Sequence, residues 1–184
     1  PVAALGETSW APPRIRPHGS ATVPRDLSGL LVADLSAMWA GPLCGQLLLR
    51  AGATVVKVES PTRPDGTRAG PPAFFDWVNG GKRSFTADFG DPSELKRLLA
   101  AADIVIESSR PAALARRGLG PADIPPRDGR IWLRITGHGT DGACAHWVAF
   151  GDDAAVSGGL VHGTPQGPEF LGDAIADPLT GLHA

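Results

Sequence analysis

Three stretches of the sequence hold side chains whose types and spacing bear on chemistry. The first is A-D-P-L-T-G-L-H, residues 176–183, where Asp177 stands directly before a proline. A carboxylate at that place suits two jobs: it can cap the amides of a helix opening at Pro178, or it can act as a nucleophile. Local sequence alone favours the cap. The second is G-H-G-T-D-G, residues 137–142, a literal G-x-G-x-x-G behind an apolar run. A dinucleotide fingerprint needs a helix opening there with free amides, then a strand ending in an acidic residue about twenty positions on. No such strand follows, Asp141 places negative charge inside the would-be phosphate cradle, and the motif comes after the fifth strand-like run, not the first. We read it as a tight turn. The third, D-L-S-A-M-W-A-G-P-L-C-G at residues 34–45, is the first strand-to-helix turn. Its small residues Ala40, Gly41 and Gly45 let a ligand approach backbone at the carboxyl end of a strand, where open α/β sheets bind ligands. The same spacing serves close packing of a helix on a sheet, and Trp39 either stacks on a ligand ring or plugs the core.

Other chemistries lack their residues. The five histidines show no H-E-x-x-H or H-x-x-x-H spacing, and Cys44 and Cys144 stand far apart with no C-x-x-C. Neither a disulfide framework nor a metal site is expected, and two lone thiols fit a reducing cytoplasm. The sequence has no tyrosine, which removes the usual catalytic residue of the short-chain dehydrogenases, so no nicotinamide cofactor is expected. Asp152 and Asp153 read as helix N-terminal carboxylates rather than a catalytic pair. Lys82 and Arg83 have the charge to serve phosphates, but a charged turn before an exposed strand start accounts for them.

The elements that must position these residues are legible in the apolar runs. L-L-V-A-D-L (30–35), T-V-V-K-V-E (54–59), S-F-T-A-D (84–88), I-V-I-E (104–107) and I-W-L-R-I-T (131–136) read as buried parallel strands. Between them lie helical stretches at 42–50, ending at Gly52, at 72–79, and at 92–101 with Asp91 as N-cap and Pro92 at the first helical position. The alternation predicts an open, mostly parallel, Rossmann-like α/β sheet with helices on both faces. Beyond residue 136 the texture turns glycine-rich and polar, and residues 158–176 are expected to form a long functional loop.

Composition agrees with one packed domain. The 184 residues are 42% hydrophobic with a formal charge of −2, and the 24 glycines and 18 prolines punctuate the apolar runs rather than replace them. There is no basic stripe for nucleic acid, and no stretch approaches the roughly 18 apolar residues of a membrane helix. Residues 1–26 read as an extended lead-in or linker ahead of a domain at 27–184. The first residue is Pro1 and the one methionine is Met38, so Pro1 is not read as a translation start; no charged segment followed by an apolar run marks a secretory signal.

The runs and their punctuation together resemble a known family. The likeness is carried by L-L-V-A-D-L-S (30–36), A-G-P-L-C-G-Q-L-L (40–48), G-A-T-V-V-K-V-E-S-P (52–61), P-D-G-T-R (64–68), N-G-G-K-R-S-F-T-A-D (79–88), A-D-I-V-I-E-S-S-R-P (102–111) and D-P-L-T-G-L-H (177–183). In this order they resemble the class III CoA-transferases of the CaiB/BaiF type, the group of formyl-CoA transferase, carnitine CoA-transferase and 2-methylacyl-CoA racemase.

The resemblance implies a large α/β domain that binds coenzyme A, taken from an acyl-CoA donor and passed to a carboxylic acid acceptor. It also implies longer chains that interlock as homodimers, so that this chain corresponds to an N-terminal half, truncated at its C-terminal end and completed by a homodimer or a complementary half-chain. It places the catalytic carboxylate at Asp177, which would carry the coenzyme as an aspartyl thioester. By position in the family, Met38, Trp39, Ala40, Ser60, Ala87, Ser108, Ser109 and Arg116 are the candidate coenzyme contacts, and Arg110 joins them by adjacency. The family's transferases often have a polar residue where Trp39 stands and an arginine where Ser60 stands. The racemase branch needs a histidine base on or close to Gly151, where this sequence has none. Transfer is therefore expected over racemisation, with a non-catalytic coenzyme-binding half as the remaining alternative.

Overall fold

The computed structural model describes residues 12–110, 112–172 and 174–184. Its frame is five parallel strands: β1 (Leu31–Asp34), β2 (Thr54–Glu59), β3 (Arg83–Thr86), β4 (Ile104–Glu107) and β5 (Ile131–Arg134), laid side by side in the order β3-β2-β1-β4-β5. The crossovers carry α1 (Ala40–Arg50), α2 (Pro72–Asn79) and α3 (Ser93–Ala101). A second region holds α4 (Gly151–Ser157), a hairpin of β6 (Val161–Thr164) and β7 (Gly167–Phe170), and α5 (Ala176–His183).

Strand alternation divides the core in two. Ala33, Val56, Val58 and Val105 face one way and pack with Leu95 and Leu99 of α3, together with Leu114, Leu119 and Ile124. Val32, Val55, Ile104 and Ile106 face the other way and pack with Cys44, Leu48 and Leu49 of α1. Successive side chains of a strand point to opposite faces, so β-branched runs with no polar alternation are what a sheet covered on both sides requires. Burying each such side chain contributes about 1.5–3 kcal/mol. The chain leaves α1 through Gly52 at φ 104°, a left-handed conformation open to glycine at little cost.

All five predicted strands form in parallel, with ends shifted by up to two residues, but the outer pair β3 and β5 are not buried as expected, since each has a neighbour on one edge only; α2 has its predicted bounds. Two further expectations are corrected. The helix expected from Pro92 starts at Ser93, with Pro92 at the cap position and the Asp91 carboxylate accepting the Ser93 amide at 3.2 Å. The expected loop at 158–176 contains the β6–β7 hairpin, paired Val161 to Phe170 and Thr164 to Gly167. Its strands are V-H-G-T and G-P-E-F, whose glycines and proline hide the alternating pattern by which a strand is recognised.

Residues 1–11 of the lead-in lie outside the described residues. Residues 12–26 take no helix or strand but are tied down. Arg25 and Arg127 each meet the Asp103 carboxylate at 2.9 Å, and the Gly129 amide donates to the Ser20 carbonyl at 2.9 Å. Among the described residues, no helix is long and apolar enough to cross a membrane, and no group of three His, Cys, Asp or Glu residues could hold a metal ion.

Candidate active site

Strand order reverses between β1 and β4, so the loops after these two strands flank the crevice where open α/β sheets take ligands. The first loop runs from Leu35 to Trp39 and is held from below by buried charge. Asp34 and Lys57 are register partners on β1 and β2 and project toward α1. Lys57 Nζ donates to the Ser36 carbonyl at 2.5 Å and to Asp65 Oδ2 at 2.7 Å. Asp65 in turn accepts the Met38 amide at 3.1 Å and the Thr67 amide at 3.0 Å. Met38 sits at φ 73°, the one non-glycine residue with positive φ among those described. Beside this pair, Lys82 Nζ meets Asp34 Oδ2 at 2.9 Å and also donates to the Pro42 carbonyl and Asn79 Oδ1. A Cβ at Gly45 would stand 2.9 Å from Asp34 Oδ2 and 3.2 Å from Lys82 Nζ, so glycine gives this ion pair its room.

Burial disfavours the Asp65 anion, but the Lys57 ammonium and the Thr67 donors outweigh it and hold the carboxyl below its usual range. Lys82 is pulled down by burial, against the attraction of Asp34. Cys44, buried on α1 beside the same carboxylate, has its thiol pushed up to about 11, first by burial and then by Asp34. It is a core residue and no nucleophile at neutral pH.

The second loop follows β4. Ser108 Oγ accepts the Ala37 amide at 3.4 Å and so bridges the two loops. Glu107 is pinned by Arg134 Nε at 2.5 Å and Trp132 Nε1 at 3.0 Å, and Ser109 Oγ donates to it at 3.4 Å. Ser108, Ser109 and Arg110 line a cleft of about 160 Å³ together with Gly137, His138, Trp147 and Phe150. His138 stands edge-on to Trp147 with ring centroids 5.5 Å apart. The G-H-G-T-D-G stretch forms bends, and no helix opens there. Its first glycine has a packing reason: a Cβ at Gly137 would collide with the Ala149 side chain.

Asp177 is seated by α5. That helix crosses α1 so closely that a Cβ at Gly181 would stand 2.7 Å from the Ala40 carbonyl and 3.1 Å from Leu43 Cβ, which explains the glycine of T-G-L-H. One turn earlier, the Asp177 carboxylate lies against Gly151, where any Cβ would overlap it. Gly151 follows Phe150 in the chain, and Phe150 lines the cleft; Asp177 itself is not among the cleft-lining residues. Asp177 does not cap the helix. Ile175 occupies the N-cap position, and among the described residues no hydrogen bond is made to the Asp177 side chain. Its pKa is raised, first by burial and second by the nearby Asp152 carboxylate.

The expected contact residues divide into those that meet at the crevice and those that do not. Met38 belongs to the first loop, Ala40 is the buried first residue of α1, and Ser108, Ser109 and Arg110 line the cleft. Trp39 neither fills the sheet core nor stands free; its ring packs tilted against Phe74 at 4.4 Å and edge-on to Trp77 of α2 at 5.8 Å. Ser60 lies in the turn after β2, its hydroxyl 2.9 Å from that of Thr62, away from the cleft lining. Ala87 is 1% exposed within the α3-side core, and its amide is held by the Glu59 carbonyl at 2.8 Å. Its methyl is therefore not brought to the cleft, because strand parity turns it to the other face. Arg116 is exposed on a short 3-10 turn, Ala115–Arg117, outside the cleft lining. Lys82 is no exposed turn charge: its side chain is 1% exposed in the pair with Asp34. Asp152 and Asp153 do sit in the first turn of α4, where Asp153 accepts the Phe150 amide at 3.0 Å. The sequence reading missed His138 and the Lys57–Asp65 pair; the lone lysine inside an otherwise apolar β-branched run was the available signal for the latter.

The profile of CoA-transferase family III matches residues 27–184. The succinate–glutarate CoA-transferase of Agrobacterium fabrum is 37% identical over 180 residues, covering 86% of this chain and 44% of that protein. The succinyl-CoA–D-citramalate CoA-transferase of Chloroflexus aurantiacus is 34% identical over 175 residues, covering 88% of this chain and 44% of the other. The crystal structure of a CaiB/BaiF family protein from Brucella suis superposes with a TM-score of 0.75 at 37% identity, over 85% of this chain and 46% of that one. The chain thus spans less than half the length of the curated relatives it matches.

Proposed function

This chain belongs to CoA-transferase family III, and on that footing we propose that the protein passes coenzyme A from an acyl-CoA to a carboxylic acid, with Asp177 as the covalent carrier. The observation that carries the reading is the state of Asp177: a half-buried carboxylate packed against Gly151, engaged neither in capping nor in any hydrogen bond among the described residues, with its pKa raised. A surface aspartate wasted as a helix cap would be solvated or bonded to amides. This one accepts no protein hydrogen bond among the described residues, and a more basic carboxylate is the better nucleophile once ionised.

The steps balance without any other reagent. An Asp177 oxygen attacks the thioester carbonyl carbon, the carbon–sulfur bond breaks, and CoA leaves as a thiolate, giving a mixed anhydride. The thiolate attacks the Asp177 carbonyl carbon and expels the donor acid as its carboxylate, leaving an aspartyl-CoA thioester. The acceptor carboxylate then reverses the sequence: it attacks the thioester to form a second anhydride, and the thiolate takes the new acyl group and frees Asp177. No net proton moves. The cleft, at about 160 Å³, is smaller than the ~300 Å³ of an ordinary ligand pocket, so it suits the thiol end of the coenzyme. The amides at Trp39 and Ala40 and the cations Arg110 and Arg116 are proposed for the rest.

The similar proteins are named for dicarboxylates, glutarate and D-citramalate among them. Arg110 supplies a cation in the cleft wall for the second carboxylate of such an acid. Racemisation is disfavoured because the position where that branch carries its histidine, Gly151, lies against Asp177 with no side chain. The protein is proposed to work in the cytoplasm, as a homodimer or joined to a complementary half-chain. Incubation with succinyl-CoA and glutarate, followed by mass spectrometry of the CoA esters, tests the reading: glutaryl-CoA should appear. Exchange of α-hydrogen with solvent deuterium and no transfer would put a racemase in its place, and coenzyme binding without either reaction would leave a binding half.

A further inference from the structure

The buried Lys57–Asp65 pair lies outside the reacting atoms, yet it terminates on the backbone of the loop that faces the crevice. Asp65 is 3% exposed, and its carboxylate accepts the Met38 amide through both oxygens, at 3.1 and 3.3 Å. The same carboxylate is fixed from three other directions, by Lys57 Nζ at 2.7 Å, the Thr67 amide at 3.0 Å and Thr67 Oγ1 at 2.8 Å. Lys57 also grips the Ser36 carbonyl, two residues before Met38. Met38 itself holds φ 73°, a conformation that a residue with a side chain keeps only where its surroundings over-determine it. Met38 is 44% exposed, with its sulfur resting over Gly66, where an added Cβ would stand 2.9 Å from it.

We infer that Asp65, locked by Lys57, is a positioning residue: it holds Met38 in the left-handed conformation so that the β1–α1 loop presents the shape the coenzyme meets. This rests on the coenzyme reading above. Without the pair, the loop relaxes to ordinary backbone angles and coenzyme affinity falls, while the sheet stays intact.

The sequence supplies a built-in reporter, since Met38 is its one methionine. In protein labelled with 13C-methyl methionine, a single methyl resonance reports this loop, and coenzyme A should shift it. Asp65→Asn should broaden or split that resonance and weaken coenzyme A binding, read by calorimetry, about tenfold or more. Glycine accepts positive φ freely, so adding Met38→Gly to Asp65→Asn should recover most of the lost affinity. A merely structural role for Asp65 would lower the melting temperature and gain nothing from that glycine. Should Asp65→Asn fail to fold, Thr67→Val, which deletes one bond to Asp65, should show the same loss of affinity in smaller measure. Wild-type binding with equal binding by Asp65→Asn, or no rescue by the glycine, overturns the inference and leaves the transferase reading standing. Absence of coenzyme binding by the wild-type protein overturns both.

Discussion

Gly151→Ala is the most revealing single perturbation. Gly151 opens α4 with ordinary helical backbone, so alanine is conformationally welcome there, and the substitution should leave stability unchanged or raise it by up to about 1 kcal/mol. The added methyl, however, would occupy the space now filled by the Asp177 carboxylate. Normal van der Waals separation requires that carboxylate to retreat by about 1 Å or more, and misplacement of a reacting group on that scale can cost about 100-fold in rate, close to 2.7 kcal/mol of activation free energy. The assay is stopped-flow or quenched release of CoA thiolate from an acyl-CoA, beside a thermal melt of the same sample. A rate lower by about two orders of magnitude with an unchanged melt is expected. Wild-type turnover in Gly151→Ala would refute the reasoning, because the nucleophile would then not be the carboxylate seated against Gly151.

Other consequences follow from the same contacts. Lys82→Met leaves the Asp34 carboxylate buried without its cation, a change worth about 3–5 kcal/mol, so the melting temperature should fall by roughly 10 °C. Gly181→Ala forces α5 off the Ala40 carbonyl and Leu43, at about 1–3 kcal/mol less the ~1 kcal/mol that alanine returns in a helix, and should slow CoA release as the Asp177 seat moves. The raised pKa of Asp177 means that ionisation opposes folding: the stability its protonated form allows is present below the ordinary carboxylate range and is lost as pH rises through the folded value. Asp177→Asn should therefore melt higher than wild type near about pH 7, with the difference vanishing toward about pH 3, as scanning calorimetry across pH would show.

The sheet was legible because its central strands β1, β2 and β4 are buried on both faces, and runs such as T-V-V-K-V-E and I-V-I-E carry that fact without ambiguity. The β6–β7 hairpin was not, since G-P-E-F offers no alternation and owes its pairing to the tight turn at 164–167. Lys82 was misread for a related reason. A lysine beside an arginine after two glycines looks like solvent-facing charge, and only the fold shows that Asp34, Asn79 and the end of the first turn of α1 converge on it. Ala87 shows the converse: position along the chain put it near the crevice, and strand parity turned its methyl into the core. Asp177 could be singled out from the sequence, but the neighbour that seats it, Gly151, lies on a different helix beyond a hairpin, and no local pattern links the two.

The central claim is that Asp177 holds the coenzyme covalently, and trapping tests it most directly. The protein is mixed with an acyl-CoA, quenched with hydroxylamine, digested and mapped by mass spectrometry. The account predicts a hydroxamate at Asp177, absent in Asp177→Ala and retained in Asp152→Ala. Transfer of coenzyme A that proceeds with no modification at Asp177, or with the adduct on another residue, would contradict it.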